Sequence, residues 1–330
     1  MGEKPNLLVT NSRVTEWLRP LRPHAKTYWL DELDEKELDS ILPSIDAMLV
    51  QAWWPDSLTS ERISRMRRLR FIQSGWAGVN HIPFRLLGEQ VMVSSNAGGF
   101  SSGVAEYALA LLLAAAKRVV KLDRVMRAGE FDPEHWGSLA REVVQLKGKT
   151  LGILGYGGIG RAVGSAAKAL GMNLVAFSRH SSSDGDVRVH HGREGLRKVL
   201  RTSDGFVISL PLSKLTVGLI GAAELAMMKK DAFLVNVARA EIVDEEALYR
   251  HLLKNPGFTY ATDVWRIKKG KETYSSRFPL MKLSNFIGTP HVAGGSTSLT
   301  GEPGEAAVEN LVRYLRGEAP SNVVDPSEYV

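Results

Sequence analysis

Cysteine is absent from the 330 residues, which excludes disulfides, thiol nucleophiles and thiolate metal sites. Long hydrophobic runs are absent as well. No stretch approaches the ~20 apolar residues that cross a bilayer, and the most apolar segment, 104–120, is interrupted by Glu106 and Lys117 and reads as a buried helix. The opening "MGEKPNLLVT" lacks the apolar core of a signal peptide, so a cytoplasmic location is expected. Internal repeats, low-complexity linkers and helix-turn-helix, zinc-finger or RNA-binding signatures are missing too. The net charge of +6 comes from scattered basic residues. Such a surface suits anionic metabolites and cofactor phosphates rather than nucleic acid. The histidines show no ligand spacing, so no metal is expected.

What the chain does contain is alternation. "LLVT", "AMLVQA", "LRFIQS" and "VMVSS" read as strands in the first hundred residues, with helical segments at 34–42 and 59–66 between them. A long helix is predicted over about 103–117. From Lys149 the alternation restarts with "TLGILG", "NLVAF", "GFVISL", "AFLVNV", "TYATDV" and "NFIGTP", and a last helix is predicted near 304–314. Strands alternating with helices imply parallel sheets covered on both faces. The expectation is an α/β protein with two parallel-sheet domains, and a C-terminal helix returning to the first.

The sharpest local signal is "TLGILGYGGIGRAVG". Gly155, Gly157 and Gly160 form GxGxxG directly after a strand and at the mouth of a helix. Gly155 permits a tight turn, Gly157 lets a pyrophosphate approach the backbone, and Gly160 lets the helix pack on the strand. Tyr156, Gly158 and Ile159 complete the loop, and the helix N-terminus offers free N–H groups to phosphates. About 20 residues on, where an acid would bind a ribose 2′-hydroxyl, the sequence reads "FSRH". Ser178 and Arg179 can instead hold a 2′-phosphate, so NADP(H) is expected to be preferred and NAD(H) to be possible.

Further motifs appear in order: "SGWAGVNHI", "VSSNAGGFSSGVAEYALALLL", "SLPLSKLTVGLIG", "AFLVNVARAEIVDEEAL", "TDVW" and "GTPHVAGGS". Over residues 73–298 they resemble the D-isomer-specific 2-hydroxyacid dehydrogenases, which include glyoxylate/hydroxypyruvate reductases, D-3-phosphoglycerate dehydrogenases and formate dehydrogenases. The resemblance implies a discontinuous substrate domain (1–118 and 293–330) and a Rossmann-like dinucleotide domain (119–292), with the active site in the cleft between them. A homodimer is expected, with the long helix at its interface.

By the same resemblance Arg239 is the catalytic arginine, suited to grip a 2-keto acid carboxylate, and His291 is the acid/base histidine. The usual glycine after the arginine is Ala240 here. The family's catalytic carboxylate falls on Lys268 when counted forward from Asp263, and on Glu272 when counted 19 residues back from His291. The two counts agree if "RIKKGK" holds four extra residues, which makes Glu272 the expected partner of His291. Leu210, Pro211, Val237 and Ala238 are expected near the cofactor, as is Asp263, which could orient Arg239 or the nicotinamide carboxamide or be a structural acid at the strand end. Trp76, Ala77, Gly78 and Val79 are expected to bind the substrate carboxylate through backbone N–H groups, with Asn96 nearby; Asn80 stands where the family commonly has Asp. Trp53 and Trp54 could line a pocket or pack in a core.

The implied activity is reduction of a small 2-keto acid of the glyoxylate/hydroxypyruvate type to its D-2-hydroxy acid. The alternative is a dinucleotide-binding protein of the corepressor type with little turnover. Formate dehydrogenases usually pair the histidine with Gln, which argues against formate oxidation.

Overall fold

The computed structural model describes residues 4–11, 18–51, 54–132, 134, 136–268, 271–273, 276–295 and 302–329; at 267, 268, 271, 272 and 302 it describes the backbone only. By its packing the chain divides into two compact units, 1–100 with 296–330, and 101–295.

The first unit runs β1 (Asn6–Val9), β2 (Lys26–Trp29), α1 (Glu35–Ile41), β3 (Ile45–Val50), α2 (Ser60–Arg65), β4 (Phe71–Ser74) and β5 (Met92–Ser94). Its five strands are all parallel in the order β2-β1-β3-β4-β5, the flavodoxin-like arrangement. Strand alternation divides the apolar residues between two faces. Leu8, Met48, Val50 and Ile72 join one cluster, while Leu7, Val9, Ala47, Leu49 and Phe71 join another. Both helices begin where the sequence supplies a cap. Asp34 and Glu37 form a reciprocal capping box at α1, and the Thr59 hydroxyl accepts from Arg62 N–H at α2.

The second unit opens with α3 (Ser101–Ala116), α4 (Val119–Ala128) and α5 (Trp136–Arg141). Then come β6 (Thr150–Leu154), α6 (Gly158–Ala169), β7 (Asn173–Phe177), β8 (Arg188–His190), α7 (Gly192–Thr202), β9 (Gly205–Ile208), α8 (Ala222–Met227), β10 (Phe233–Asn236), α9 (Glu245–Lys254) and β11 (Thr259–Thr262). A short antiparallel hairpin, β12 (Ile267–Lys268) with β13 (Lys271–Glu272), precedes β14 (Phe286–Gly288). Seven parallel strands form one sheet, ordered β14-β11-β10-β9-β6-β7-β8. Every residue of β9, β10 and β11 is buried, as a sheet covered on both faces requires. The chain steps outward from β6 to β8, then returns to place β9 beside β6, which opens a crevice between the carboxyl ends of β6 and β9.

The long helix α3 packs on α6 and against β10 and β11, and Val104, Ala108, Leu111, Leu112 and Ala115 are among its buried residues. It therefore groups with the second unit, and the division falls ahead of it, whereas the sequence reading drew the line after residue 118. The last helix, α10 (Glu302–Leu315), lies on the first unit's sheet, where Ala307, Val308 and Leu311 join Leu7, Leu49 and Phe71. A buried polar contact fixes its register: Asn310 donates to Gln73 Oε1 at 2.7 Å, and its own oxygen accepts from Ser321 N–H at 2.6 Å.

Candidate active site

Because all seven strands of the second sheet are parallel, every loop that follows a strand emerges at the same edge. That edge collects the glycine loop after β6, Ser178 and Arg179 after β7, Leu210 and Pro211 after β9, and Val237 to Arg239 after β10. Asp263 follows β11, and His291 follows β14.

The glycine loop is built by close approach. Gly155 has φ +105°, donates to Phe177 O at 2.8 Å, and lies against the next strand end. A Cβ on it would meet the Ser209 carbonyl carbon at 2.7 Å and Leu210 N at 2.8 Å. The Ser209 hydroxyl donates to Gly155 O at 2.7 Å, which locks the two loops together. Gly160 is glycine because its missing side chain is where the Gly155 carbonyl sits. Gly157 differs: a Cβ there would meet no protein atom within 4 Å, and α6 starts behind it with no side-chain cap. An open approach to uncapped N–H groups fits a dinucleotide pyrophosphate. Tyr156 is buried, while Gly157 and Gly158 are exposed and Ile159 is half-buried.

At the next loop, Ser178 is half-buried and Arg179 exposed. The Ser178 hydroxyl accepts from Ser181 N–H at 3.3 Å, and the Ser181 hydroxyl donates to Tyr156 O at 2.8 Å. The turn is thereby folded back on the glycine loop. Leu210 is buried, Pro211 is exposed, and the Thr216 hydroxyl donates to Pro211 O at 2.6 Å.

Arg239 rests on a buried polar relay. Asn236, the last residue of β10, donates to Arg239 O at 3.0 Å and lies 3.1 Å from the Tyr260 hydroxyl, while its oxygen accepts from Ala238 N–H at 3.0 Å. Burial pushes the Tyr260 phenol upward, against the opposing pull of its bonds with Thr262 and Asn236, so it stays protonated. Val237 and Ala238 are buried beneath the half-exposed arginine. Val237 N–H donates to Ile208 O at 3.3 Å, and the guanidinium donates to Ala238 O at 2.8 Å.

The histidine loop is held from β11. Asp263 is fully buried, and both carboxylate oxygens are engaged: Oδ1 accepts from the Thr289 hydroxyl (2.6 Å) and Val292 N–H (3.1 Å), and Oδ2 from Ala293 N–H (2.7 Å). These bonds bracket His291, whose backbone is left-handed at φ +54° and whose N–H donates to Thr289 O at 3.0 Å. Trp265 braces the same turn, donating from its indole to Thr289 O at 2.7 Å, with its ring against Gly288. The histidine side chain is exposed at the sheet edge.

Glu272 lies on β13 opposite Ile267, and its side chain is outside the described residues. The stem of its hairpin closes where Thr273 N–H donates to Arg266 O at 2.9 Å. A buried acid that the sequence reading missed ties both flanks: Glu245, in the first turn of α9, lies 3.4 Å from Arg266 and 3.2 Å from Arg277. The acid-rich "VDEEAL" held that signal, but nothing local paired it with the basic loop.

In the first unit, the Asn96 amide donates to Gly75 O (3.0 Å) and Pro303 O (2.8 Å), so this buried residue buttresses the turn after β4. Trp76 stacks on Phe100 at 5.3 Å, and its N–H donates to Ser74 Oγ at 3.1 Å. The N–H groups of Ala77, Gly78 and Val79 meet no protein acceptor among the described residues. Trp53 lies outside the described residues; Trp54 packs against the first unit's core and donates to Leu58 O at 3.1 Å.

The sheet order and glycine loop define a doubly wound dinucleotide-binding protein. The family model for the D-isomer specific 2-hydroxyacid dehydrogenase NAD binding domain matches residues 109–293. The chain is 32% identical over 329 residues to a glyoxylate reductase of Aeropyrum pernix, covering 98% of this chain and 96% of that protein. Its fold is similar to a Pyrobaculum aerophilum protein provisionally described as a formate dehydrogenase (TM-score 0.83, 32% identity, 98% of this chain and 100% of that one). It is similar also to a D-isomer specific 2-hydroxyacid dehydrogenase of Xanthobacter autotrophicus in complex with NADPH and MES (TM-score 0.78, 25% identity, 99% and 100%). The chain belongs to the D-isomer specific 2-hydroxyacid dehydrogenase family, an NAD(P)-dependent class of oxidoreductases.

Two glycine variants separate folding from binding. Gly155→Ala, strained in φ and driven into the Ser209–Leu210 backbone, is expected to cost about 2–4 kcal/mol of stability. Gly157→Ala should leave the melting temperature unchanged, yet weaken NADPH binding at least roughly tenfold by blocking the phosphate's approach. Melting curves and nucleotide fluorescence titrations check both.

Proposed function

We propose that the protein is an NADP(H)-dependent reductase of small 2-keto acids of the glyoxylate or hydroxypyruvate type, forming the D-2-hydroxy acid. The observation that supports this best is the gathering of Arg239 and His291 at the carboxyl edge that also carries the glycine loop. The glyoxylate reductase name of the A. pernix relative points the same way. The preference for NADP(H) rests on Ser178 and Arg179 standing where an acid would favour NAD(H). The first unit is assigned to the substrate, and the second to the dinucleotide.

A bound reduced nicotinamide would supply the hydride. Arg239 pairs with the substrate carboxylate and stabilises charge that develops on the carbonyl oxygen. The imidazolium of His291 gives that oxygen its proton, with Glu272 as the partner proposed to orient the ring. Asp263 acts indirectly, as a positioning residue, by fixing the backbone on which the imidazole is carried.

Initial rates of NADPH and NADH oxidation with glyoxylate, hydroxypyruvate, pyruvate and phosphohydroxypyruvate test the reading. Turnover preferring NADPH, with kcat/KM lowered roughly 100-fold or more in Arg239→Lys and nucleotide affinity unchanged, is the expected result. NADPH binding without turnover on any of the four acids would favour the corepressor-type alternative. Reduction of NADP⁺ by formate instead would favour the activity named for the Pyrobaculum relative. The protein is further proposed to be a homodimer, and sedimentation of a single monomeric species at micromolar concentration would contradict that.

A further inference from the structure

The turn that carries Ser178 and Arg179 has a neighbour which the proposed function does not use. β8 runs parallel to β7 with Phe177 opposite His190, so the ends of both strands stand side by side. Ser178 N–H donates to His190 O at 3.1 Å, and the next residue, His191, brings its ring Nδ1 to 2.7 Å from Ser178 O. A carbonyl oxygen only accepts, so Nδ1 carries the hydrogen. Nε2 is then the nitrogen left for a ligand. The side chain is exposed, yet this bond holds its ring to the Ser178 backbone.

Of the groups close to the turn, the Arg161 guanidinium is committed elsewhere, paired with Asp184 and 4.6 Å from the centre of the Tyr156 ring, whereas the Ser178 hydroxyl has its partners, the Ser181 hydroxyl at 3.1 Å and Ser181 N–H at 3.3 Å, inside the turn itself. The titratable and charged groups on the elements beside His191 are Arg188 and His190 on β8, Arg193, Glu194, Arg197, Lys198 and Arg201 on α7, and Arg179 and His180 on the turn. Burial pushes His190 down, with Lys198 and Arg188 adding to the effect, so that ring stays neutral. The balance of charge around the turn is cationic, which suits a dianionic 2′-phosphate, where NADH has only a neutral hydroxyl.

We propose that His191 is a specificity residue for the 2′-phosphate of NADP(H), hydrogen-bonding to it through Nε2 beside Ser178 and Arg179. The inference rests on the reading of those two residues as the 2′-phosphate site. The Nδ1 bond orients the ring before the nucleotide arrives, which reduces the ordering cost of binding. NADH presents a 2′-hydroxyl in that place and gains no charged contact.

Calorimetric titration of the intact protein with 2′,5′-ADP and with 5′-ADP tests this without turnover. His191→Asn suits the purpose, because the amide nitrogen replaces Nδ1 as donor to Ser178 O and the outer nitrogen is deleted. The variant should bind 2′,5′-ADP roughly 3- to 10-fold more weakly, the scale of one partly exposed charge-assisted hydrogen bond, and 5′-ADP equally well. Wild-type discrimination that persists in full in the variant would overturn the role of His191 and leave the NADP(H) reading standing. Equal weakening of both ligands would reduce His191 to a structural prop. A wild-type protein that does not distinguish the two ligands would overturn the NADP(H) reading and this inference with it.

Discussion

The histidine turn at the sheet edge depends on one carboxylate. Asp263 accepts three hydrogen bonds from the segment that contains His291, two of them from backbone N–H groups directly after it. A left-handed backbone costs a residue with a Cβ about 1–2 kcal/mol, and His291 adopts it. Each hydrogen bond to a charged group contributes about 1.5–3 kcal/mol, so the clamp outweighs the strain it imposes. The strained conformation is therefore held from beneath, and the imidazole is carried on a turn that the fold determines rather than on a free loop. The same bonds occupy both oxygens of a residue whose sequence position offered it to the cofactor.

The remaining parts of the edge are fixed in the same manner, by strand ends bonding to their neighbours. Ser209 locks the end of β9 to Gly155, Asn236 carries Arg239 at the end of β10, and Trp265 braces Thr289 beyond β14. A parallel sheet makes this economical, because successive strand ends lie side by side and one side chain can hold the next loop. Chemistry at this edge requires only short, stiff connections from a buried scaffold, and the family the chain belongs to uses that scaffold for NAD(P)-dependent dehydrogenation.

Much of this was legible in the sequence, and the physical reason differs by element. The glycine loop could be read because backbone geometry demands glycine at 155 and 160 and because β6 and α6 flank it. The strands β1, β3, β4, β6, β9 and β10 are apolar runs that periodicity detects. By contrast β2 and β8 carry polar and charged residues that resemble loop, so neither was foreseen. The partner of α3 was hidden for another reason: apolar and small residues surround that helix, and such a pattern announces burial without saying against which sheet. Long-range polar contacts were invisible throughout. Nothing near Asn310 points to Gln73, nothing near Glu245 to Arg266 and Arg277, and nothing in "HHG" to the Ser178 carbonyl. Counting singled out Glu272 by its distance from His291, but nothing in the sequence announced the short hairpin on which its backbone lies.

The central claim is that Asp263 acts on the histidine turn. Asp263→Asn keeps the size of the side chain but loses one acceptor, so a bond to Val292, Ala293 or Thr289 must fail. The decisive measurement is kcat at saturating cofactor and substrate in this variant, set beside its NADPH dissociation constant. The account predicts a kcat lowered at least roughly tenfold, about 1.4 kcal/mol in the barrier, with NADPH affinity unchanged. An unchanged kcat accompanied by weakened NADPH binding would contradict it and return Asp263 to the cofactor.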